Sequence, residues 1–263
     1  NEKLETKVND RTKVLLEALN ALEKSKKELS DSLKKERELN ELKSRFLSMA
    51  SHEFRTPLTT ILSSASLISD YKTEEQDDRR LRHVNRIKSA VNNLNDILSD
   101  FISISRIEEG KVMADFKTFN LKNQADEVIN EIKLIAKSGQ KIRHFHNGVE
   151  EVLLDPKMTR NIMVNLLSNA IKFSEKGKSI TVSSSRENAY VKVCVMDQGI
   201  GISEEDQQHL FSSFFRGKNA LNIQGTGLGL HIVKRYLNLL GGQVELKSTL
   251  GKGTSITFSL PIN

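Results

Sequence analysis

The segment Phe46 to Leu58, FLSMASHEFRTPL, carries side chains whose types and spacing could support nucleophilic chemistry. Glu53 directly follows His52, and its carboxylate could accept one imidazole proton and make the other ring nitrogen a better nucleophile. Thr56 lies four residues after His52, one helical turn away on the same face, where its hydroxyl could orient a water molecule. Pro57 has no N–H group, so a bend is predicted just beyond the histidine. Because a histidine beside a glutamate is also common on ordinary helices, this segment alone does not establish a catalytic site.

The elements that must position this segment are long helices. Apolar residues around it recur in three- and four-residue steps, the pattern of a coiled coil or helix bundle. With Ser51 in one core position, they are Leu47, Phe54, Leu58, Ile61, Ala65 and Ile68. His52 follows Ser51 by one residue, about 100° around the helix. It is therefore predicted to face out of the bundle, where a second molecule can reach it.

Residues 1–45 are low in Gly and Pro and rich in Lys, Glu and Leu. With Lys26 in one core position, the heptad residues are Val8, Leu15, Leu19, Leu22, Leu29 and Leu33. The next step, from Leu33 to Leu39, is six residues, so the apolar seam changes phase there. We interpret this region as a parallel dimeric coiled coil continuous with the His52 helix. The alternative is a solvated helix with an imperfect apolar stripe.

A polar turn at residues 71–78 separates this helix from a second one, predicted over Asp77 to Glu108. Its apolar stripe is Val84, Ile87, Val91, Leu94, Leu98 and Phe101. Two antiparallel helices have too little core to stand alone, but two copies complete a four-helix bundle. A homodimer is therefore predicted.

Composition narrows the function classes. A single cysteine, Cys194, allows no internal disulfide and fits a reducing compartment, so a cytoplasmic location is expected for this fragment. The charge of +6 comes from 40 basic and 34 acidic residues that are interspersed, and only 5% of residues are aromatic, which disfavours nucleic-acid binding. No membrane span or signal peptide is visible. Because the chain starts without Met in mid-pattern, we expect further sequence upstream, in a full-length protein that is either membrane-anchored or soluble.

After Gly110 the pattern changes to short strands and helices, which predicts an α+β sandwich with one mixed sheet and helices on one face. The predicted strands are 112–120, 142–146, 179–186, 190–196, 243–248 and 254–260, and the predicted helices are 121–137, 155–173 and 226–240.

Two clusters in this part could contact a nucleotide. Asn165 and Asn169, four residues apart, share a helix face and could offer amide oxygens to a hard cation such as Mg²⁺, with Lys172 near enough to meet phosphate. Asp197 ends a strand, and its carboxylate could accept a hydrogen bond from the exocyclic amine of a purine. Gly199 and Gly201 would let the backbone approach the ring. Taken singly, such residues are as often surface amides or turn residues.

Two further clusters follow. FSSFFRGKN (211–219) is either a loop anchored by phenylalanines or a lid with Arg216 facing an anionic ligand. GTGLGL (225–230) opens a helix whose free N–H groups favour anions. It lacks the Lys-Ser/Thr ending of a P-loop and the preceding strand of a dinucleotide-binding fold.

In this order after a His-Glu helix, these clusters resemble the catalytic core of bacterial two-component sensor histidine kinases. HEFRTPL resembles their H box, NLLSNAIKF the N box, DQGIGI the G1 box, SFFRG the F box and GTGLGL the G2 box. The resemblance covers roughly Glu41 to Leu260. The upstream helix resembles the signalling linkers that join sensor modules to such cores.

The resemblance implies a multidomain chain: a signalling coiled coil (1–45), a dimerisation and histidine phosphotransfer domain (46–110), and a Bergerat-type catalytic ATP-binding domain (111–263). It implies that His52 is autophosphorylated from ATP with Glu53 as general base, and that the phosphoryl group passes to an aspartate on a response regulator receiver domain. Thr56 matches the position that assists phosphatase activity toward that regulator.

For the nucleotide, the resemblance implies Asn169 as the main Mg²⁺ ligand with Asn165 assisting, and Asp197 on the adenine. The implied ATP-binding residues are Asn165, Asn169, Lys172, Phe173, Asp197, Gly199, Gly201, Arg216, Gly225, Thr226, Gly227, Leu228, Gly229 and Leu230. Phe173 stands where Tyr is also common, and both can pack against a nucleotide. Ser212 and Ser213 replace the Glu-Pro often found in the F box, which leaves the lid geometry open.

Two rival functions remain at this point. One is a gyrase-like Bergerat ATPase that drives a molecular clamp, which the H box argues against. The other is a non-catalytic dimeric scaffold or a phosphatase-dominant protein. The complete set of boxes argues against loss of ATP binding but leaves very slow phosphorylation open.

Overall fold

The computed structural model describes the backbone of residues 2–73, 76–187, 189–220, 223 and 225–262. Side chains are described for the same residues, except 2–10, 14, 35, 38–49 and 52. The chain divides into two units, Asn1–Thr56 and Pro57–Asn263, which are described in turn.

The first unit is helical. Helix α1 runs Glu2–Asp70 and passes through Pro57 without interruption, which confirms that the stalk and the His52 helix are continuous. The described heptad leucines of this unit are exposed: Leu15, Leu19, Leu22, Leu29 and Leu33. The side chains of Val8, Leu39, Leu42, Phe46 and Met49 lie outside the described residues, so the phase change stays a prediction, as does the bend at Pro57.

The second unit begins with the last part of α1, followed by helix α2, Asp77–Glu108, within its predicted limits. Its buried residues are His83, Ala90, Ile97, Phe101 and Ile104, a stripe one residue out of phase with most of the predicted one. Val91 and Leu98 of the predicted stripe remain 42% and 50% exposed. A helix in a bundle contacts two neighbours, so its apolar residues occupy two faces, and the described side chains of this chain cover one of them.

The remaining elements form the α+β sandwich expected from the sequence. The strands are β1 (Lys117–Asn120), β2 (Lys141–Asn147), β3 (Glu151–Leu154), β4 (Ser179–Glu187), β5 (Tyr190–Met196), β6 (Gln243–Thr249) and β7 (Gly253–Pro261). The helices are α3 (Leu121–Ile132), α4 (Pro156–Phe173), α5 (Glu204–Gln207) and α6 (Gly229–Leu239), with 3₁₀ turns at Lys133–Ile135 and Lys218–Ala220.

Five strands make a mixed sheet in the order β2-β4-β5-β7-β6, in which only the β2–β4 pair is parallel. Alternate residues of the central strands are buried, including Val182, Val193 and Phe258, and helices α3, α4 and α6 pack against the sheet. The period of two places these apolar side chains on one face. The sheet is therefore a platform that fixes the helices bearing the candidate site.

Most predicted boundaries agree with the structure to within a residue or so, but three differ by more. The strand predicted over 112–120 begins only at Lys117, because its partner is the short, unpredicted strand β3, and these two form a separate antiparallel sheet. The helix predicted over 121–137 ends at Ile132 and continues as a 3₁₀ turn. The helix predicted from residue 226 begins at Gly229, because Gly227 has a φ of +70° that a right-handed helix cannot contain.

Within the described ranges, every helix is too short or too polar to cross a lipid bilayer.

Candidate functional site

Helix α4 carries the two asparagines and the lysine of the predicted site. It starts at Pro156 because Asp155 caps it, with Oδ1 accepting from the backbone N–H groups of Lys157 and Met158, both at 2.9 Å. Its apolar face is buried in the domain core. Asn165 and Asn169, four residues apart, remain partly exposed. The helix therefore presents one polar stripe outside the core, as its sequence predicted.

The carboxyl end of α4 is tied to neighbouring segments. Lys137 Nζ donates to the carbonyl oxygens of Lys172 and Ser174, both at 2.7 Å, and Gln140 Nε2 donates to the carbonyl of Ile171 at 3.1 Å. These bonds satisfy carbonyl groups that the last helical turn leaves without partners. A lysine charge there also complements the helix dipole. The end of the helix is thus fixed where Lys172 leaves it.

Asp197 directly follows β5 and begins the G1 loop (197–202), and this loop contacts the end of α4. Asp197 Oδ1 accepts from the N–H groups of Gly199 at 2.8 Å and Thr254 at 3.3 Å, and among the described residues these hydrogen bonds do not use Oδ2. Burial raises the pKa of Asp197, and the two backbone hydrogen bonds oppose that rise. The loop is held to α4 because the Ile200 N–H donates to the carbonyl of Phe173 at 3.2 Å. A Cβ on Gly201 would overlap the carbonyl oxygen of Thr249, so the loop needs glycine there.

The glycine loop (225–230) and the polar face of α4 approach each other closely. A Cβ on Gly229 would lie 2.7 Å from Asn165 Oδ1, and a Cβ on Gly225 would overlap Lys172 Nζ. Lys172 Nζ also lies 5.4 Å from the centroid of the Phe173 ring. The N box and the G2 box, about 60 residues apart in sequence, therefore meet in one polar region, which we call the polar cleft. A side chain at Gly225 or Gly229 would have to displace Lys172 or Asn165.

The F-box segment is fastened to the glycine loop by its backbone. Phe214 has a φ of +63°, and its N–H donates to the carbonyl of Gly227 at 3.1 Å. Leu228 is fully buried, and Leu230 is half-buried in the first turn of α6. The loop geometry that the Ser212 and Ser213 departure left open is thus set by contacts with the glycine loop.

Arg216 lies within that loop and binds its backbone. Its Nη2 donates to the carbonyl oxygens of Ala220 at 3.2 Å and Ile223 at 2.7 Å. The guanidinium group thus organises the segment between the F and G2 boxes. Its contact with an anion stays a prediction.

Thr226 has a partner that the sequence did not indicate. Its hydroxyl donates to Asp100 Oδ2 on α2 at 2.9 Å and accepts from the N–H of Leu228 at 3.2 Å. Burial raises the pKa of Asp100 to about 6, the Thr226 hydrogen bond and the Lys172 charge oppose that rise, and nearby Asp96 adds to it. These residues are 126 positions apart, so no local spacing signal could have found the contact.

The candidate phosphoacceptor segment belongs to the first unit. His52, Glu53 and Thr56 are all on α1, as predicted. Glu53 is half-buried and Thr56 is exposed, whereas the side chain of His52 lies outside the described residues. Its predicted outward orientation therefore stays a prediction.

The polar cleft has the donor chemistry that Mg²⁺ requires. Asn165 and Asn169 offer amide oxygens, and a hard cation with several waters needs few protein ligands of this kind. Asn165 Oδ1 already faces the glycine loop, and its own Nδ2 donates to the carbonyl of Asn161 at 2.9 Å, which orients the oxygen away from the helix. Elsewhere in the described ranges no three His, Cys, Asp or Glu side chains form a metal-binding group.

Two family models match the sequence. The His Kinase A (phospho-acceptor) domain matches residues 42–110, and the Histidine kinase-, DNA gyrase B-, and HSP90-like ATPase matches residues 154–263. The match places the H-box segment in the first model and the other four boxes in the second.

Similar proteins have both parts. The chain is 33% identical over 241 residues to the circadian input-output histidine kinase CikA of Synechococcus elongatus. The aligned region covers 89% of this chain and 32% of CikA. It is 32% identical over 275 residues to the signal transduction histidine-protein kinase BarA of Escherichia coli K12, covering 100% of this chain and 29% of BarA. The chain thus spans less than a third of the length of these relatives. Full-length ShkA in complex with AMPPNP matches with a TM-score of 0.61 and 27% identity, over 81% of this chain and 44% of ShkA.

Proposed function

Because this chain belongs to the sensor histidine kinase family, we propose that it transfers the γ-phosphoryl group of ATP to His52 and then to an aspartate of a response regulator. The observation that carries the proposal is the polar cleft between α4 and the glycine loop, where Asn165 faces Gly229 and Lys172 faces Gly225. The H-box segment supplies the acceptor within the matched phosphoacceptor region. The division into 1–45, 46–110 and 111–263 is part of this proposal.

ATP binds in this cleft with its adenine at Asp197. Oδ2 of that carboxylate accepts from the exocyclic amine, and the backbone at Gly199 and Gly201 lines the ring. The phosphates lie against Lys172 and the G2 box, where the amino end of α6 favours negative charge. The supporting side chains and loop residues are Phe173, Arg216, Gly225, Thr226, Gly227, Leu228, Gly229 and Leu230. AMPPNP, an ATP analogue, is bound by the similar protein ShkA, which supports the nucleotide class.

Asn169 and Asn165 would hold Mg²⁺, which when bound neutralises charge on the β- and γ-phosphates. The protein then aligns donor and acceptor, which is the main requirement of phosphoryl transfer. An imidazole nitrogen of His52 forms a bond to the γ-phosphorus, the bond from that phosphorus to the β–γ bridging oxygen breaks, and ADP leaves. Glu53 accepts the proton from the other ring nitrogen.

The phosphohistidine then gives its phosphoryl group to an aspartate carboxylate of the receiver domain, and the imidazole regains its proton. For the reverse signal, Thr56 orients a water molecule that hydrolyses the resulting acyl phosphate. Thr56 is exposed on α1, where a regulator can approach it.

The active form is a homodimer. The exposed heptad leucines of residues 1–45 form a parallel coiled coil, and the second apolar face of the bundle helices, including Leu58, Leu62, Val91 and Leu98, packs against a second chain. Such a stripe of exposed large apolar residues marks a protein interface. This part of the protein lies in the cytoplasm. A sensor module upstream of it changes the phase of the apolar seam between Leu33 and Leu39, and this change controls docking of the ATP-binding domain. Insertions of one to seven residues near Leu33 test this gating, which predicts that kinase activity varies with insertion length.

The direct test is incubation with γ-labelled ATP and Mg²⁺, comparing the wild-type chain with His52→Gln and with His209→Gln as a matched histidine control. We expect a protein label that survives base, is lost in acid, persists in His209→Gln and is absent from His52→Gln. Phosphate release that does not depend on His52 would instead support a clamp ATPase. Nucleotide binding without any protein label would support the scaffold or phosphatase alternative.

A further inference from the structure

Helix α2 reaches the nucleotide cleft through one carboxylate. Asp100 Oδ2 accepts the hydroxyl proton of Thr226 at 2.9 Å, and the charge of Lys172 acts on the same carboxylate. Thr226 and Lys172 are two of the groups assigned above to the phosphates. A half-buried anionic side chain therefore already interacts with the groups that an anionic ligand needs.

A second polar contact lies two helical turns further along α2. Arg235 Nη2 of α6 lies 3.8 Å from Glu108 Oε1. Arg235 Nε also donates to His231 Nε2 at 3.4 Å, and His231 Nδ1 donates to the carbonyl of Phe211 at 3.1 Å. Burial lowers the pKa of His231, so at neutral pH the ring is uncharged and can accept and donate in this way. The first turns of α6 and the loop before them are thus attached to α2 at two points.

We propose that Asp100 is an internal competitor of the ATP phosphates, and that nucleotide binding detaches the ATP-binding domain from α2. This inference rests on the proposed function, because it concerns regulation of the same cleft. The carboxylate mimics a phosphate oxygen in two respects: it accepts the Thr226 hydroxyl proton, and it is attracted by Lys172.

The competition follows from charge. A triphosphate beside Lys172 would bring several negative charges next to the Asp100 carboxylate, and like charges at short range repel. The phosphates also attract Lys172 and the N–H groups of the glycine loop, which weakens the hold of Asp100 on Thr226. When a binding-competent state is only a fraction of the population, the apparent affinity falls by that fraction. The Asp100 contact therefore lowers ATP affinity, and ATP in turn lowers the population of the attached state.

The two attachment points have different roles. Glu108 and Arg235 are both partly exposed and their charges are 3.8 Å apart, so that pair contributes little and breaks easily. Asp100 is the residue that both attaches α2 to the ATP-binding domain and competes with the nucleotide phosphates. Removing it is expected to release the domain without altering any group that contacts ATP.

The test measures binding of AMPPNP, ADP and adenosine to the full chain by calorimetry in the wild type, Asp100→Ala, Asp100→Asn and the control Asp96→Asn. Asp96 lies one turn earlier on α2 and is exposed, and its charge acts on Asp100 from there, so Asp96→Asn reports the effect of charge alone. We expect Asp100→Ala to tighten AMPPNP binding by about five- to tenfold and Asp100→Asn by about two- to threefold. Asp96→Asn should change it by less than about twofold, and adenosine binding should stay constant because adenosine lacks phosphates.

Hydrogen exchange of residues 96–108 provides the second readout. In the wild type we expect AMPPNP to speed exchange in this segment, whereas in Asp100→Ala the exchange is already fast without nucleotide. If Asp100→Ala does not fold, the nearly isosteric Asp100→Asn carries the test. Wild-type binding of AMPPNP with equal or weaker binding in the Asp100 variants would overturn this inference and leave the proposed function intact. Failure of the wild type to bind any nucleotide would overturn both.

Discussion

The ATP-binding part and the helical part of this chain bury their apolar residues in different ways. Leu121, Ile162 and Phe258 are fully buried within one chain, between the sheet and its helices. Leu19, Leu22 and Leu29 on α1 are 51%, 66% and 62% exposed. Both regions have regular apolar periodicity, but only the first completes its core alone. Apolar periodicity therefore predicts where a side chain points, and the number of neighbouring elements decides whether the chain itself covers it.

Phe258→Ala is expected to have the largest effect, because it removes a fully buried ring from the central strand β7. Such substitutions cost about 3–5 kcal/mol of unfolding free energy. The free energy of unfolding of the ATP-binding part, measured with denaturant, should fall by this amount at every protein concentration. A loss that grew on dilution would show that this region also depends on a second chain.

Leu22→Asn tests an apolar residue that is exposed within one chain and that a second chain is proposed to cover. Two exposed leucines, one from each chain, become buried in the proposed coiled coil, so the change should weaken dimerisation by tenfold or more, about 1.4 kcal/mol or above. Sedimentation at several concentrations measures the dissociation constant, with Glu23→Gln at the neighbouring exposed position as control. An unchanged constant would mean that residues 1–45 do not hold the dimer together.

Asp155→Ala should weaken the ATP-binding part by about 1–2 kcal/mol through loss of the α4 cap. The carboxylate also accepts from the N–H of Asp115 through Oδ2 at 2.8 Å, so the cap joins the segment before β1 to the start of α4. Asp155→Asn keeps an acceptor and should lose less. Equal losses for both variants would show that the charge matters more than the hydrogen bonds.

Asp100→Asn sharpens the comparison at a place where α2 contacts the ATP-binding part. The pKa of Asp100 rises from 3.8 to about 6 in the folded protein, so the stability linked to its proton is fully present below 3.8 and lost as the pH rises through about 6. The flanking groups are Asp96 on the same helix, Lys172 on α4 and Thr226. Asparagine has no charge, so the variant should gain on the order of 1 kcal/mol over the wild type between pH 4 and pH 7.

Thermal unfolding of both proteins across that pH range measures the difference. Asp96→Asn serves as the control, because Asp96 is more exposed and its pKa rises from burial without a hydrogen bond to Thr226. A stability difference that stayed flat from pH 4 to pH 7 would contradict the raised pKa.

Local patterns predicted most of the fold and the composition of the cleft. The Asp155-Pro156 start of α4, the limits of α2 and the strands β4, β5, β6 and β7 follow from capping, periodicity and turn residues, which are properties of neighbouring positions. The four-residue strand β3 was missed because so short a segment carries almost no periodicity.

Contacts between distant segments could not be predicted in this way. Lys137 and Gln140 bind the end of α4 from a turn more than 30 residues upstream, and nothing in either segment indicates the pairing. The same holds for Asp100 and Thr226. The contacts of Arg216 with the backbone of its own loop likewise depend on a chain path that composition does not determine.

Helix α4 is fixed at both ends, by Asp155 at its start and by Lys137 and Gln140 at its finish. Its residues therefore have little conformational freedom left to lose when a ligand arrives. Ordering one residue's backbone costs about 1–2 kcal/mol of entropy, and here folding has already met that cost for Asn165, Asn169 and Lys172. For the proposed nucleotide, we therefore expect affinity at this helix to depend on contacts and desolvation more than on ordering entropy.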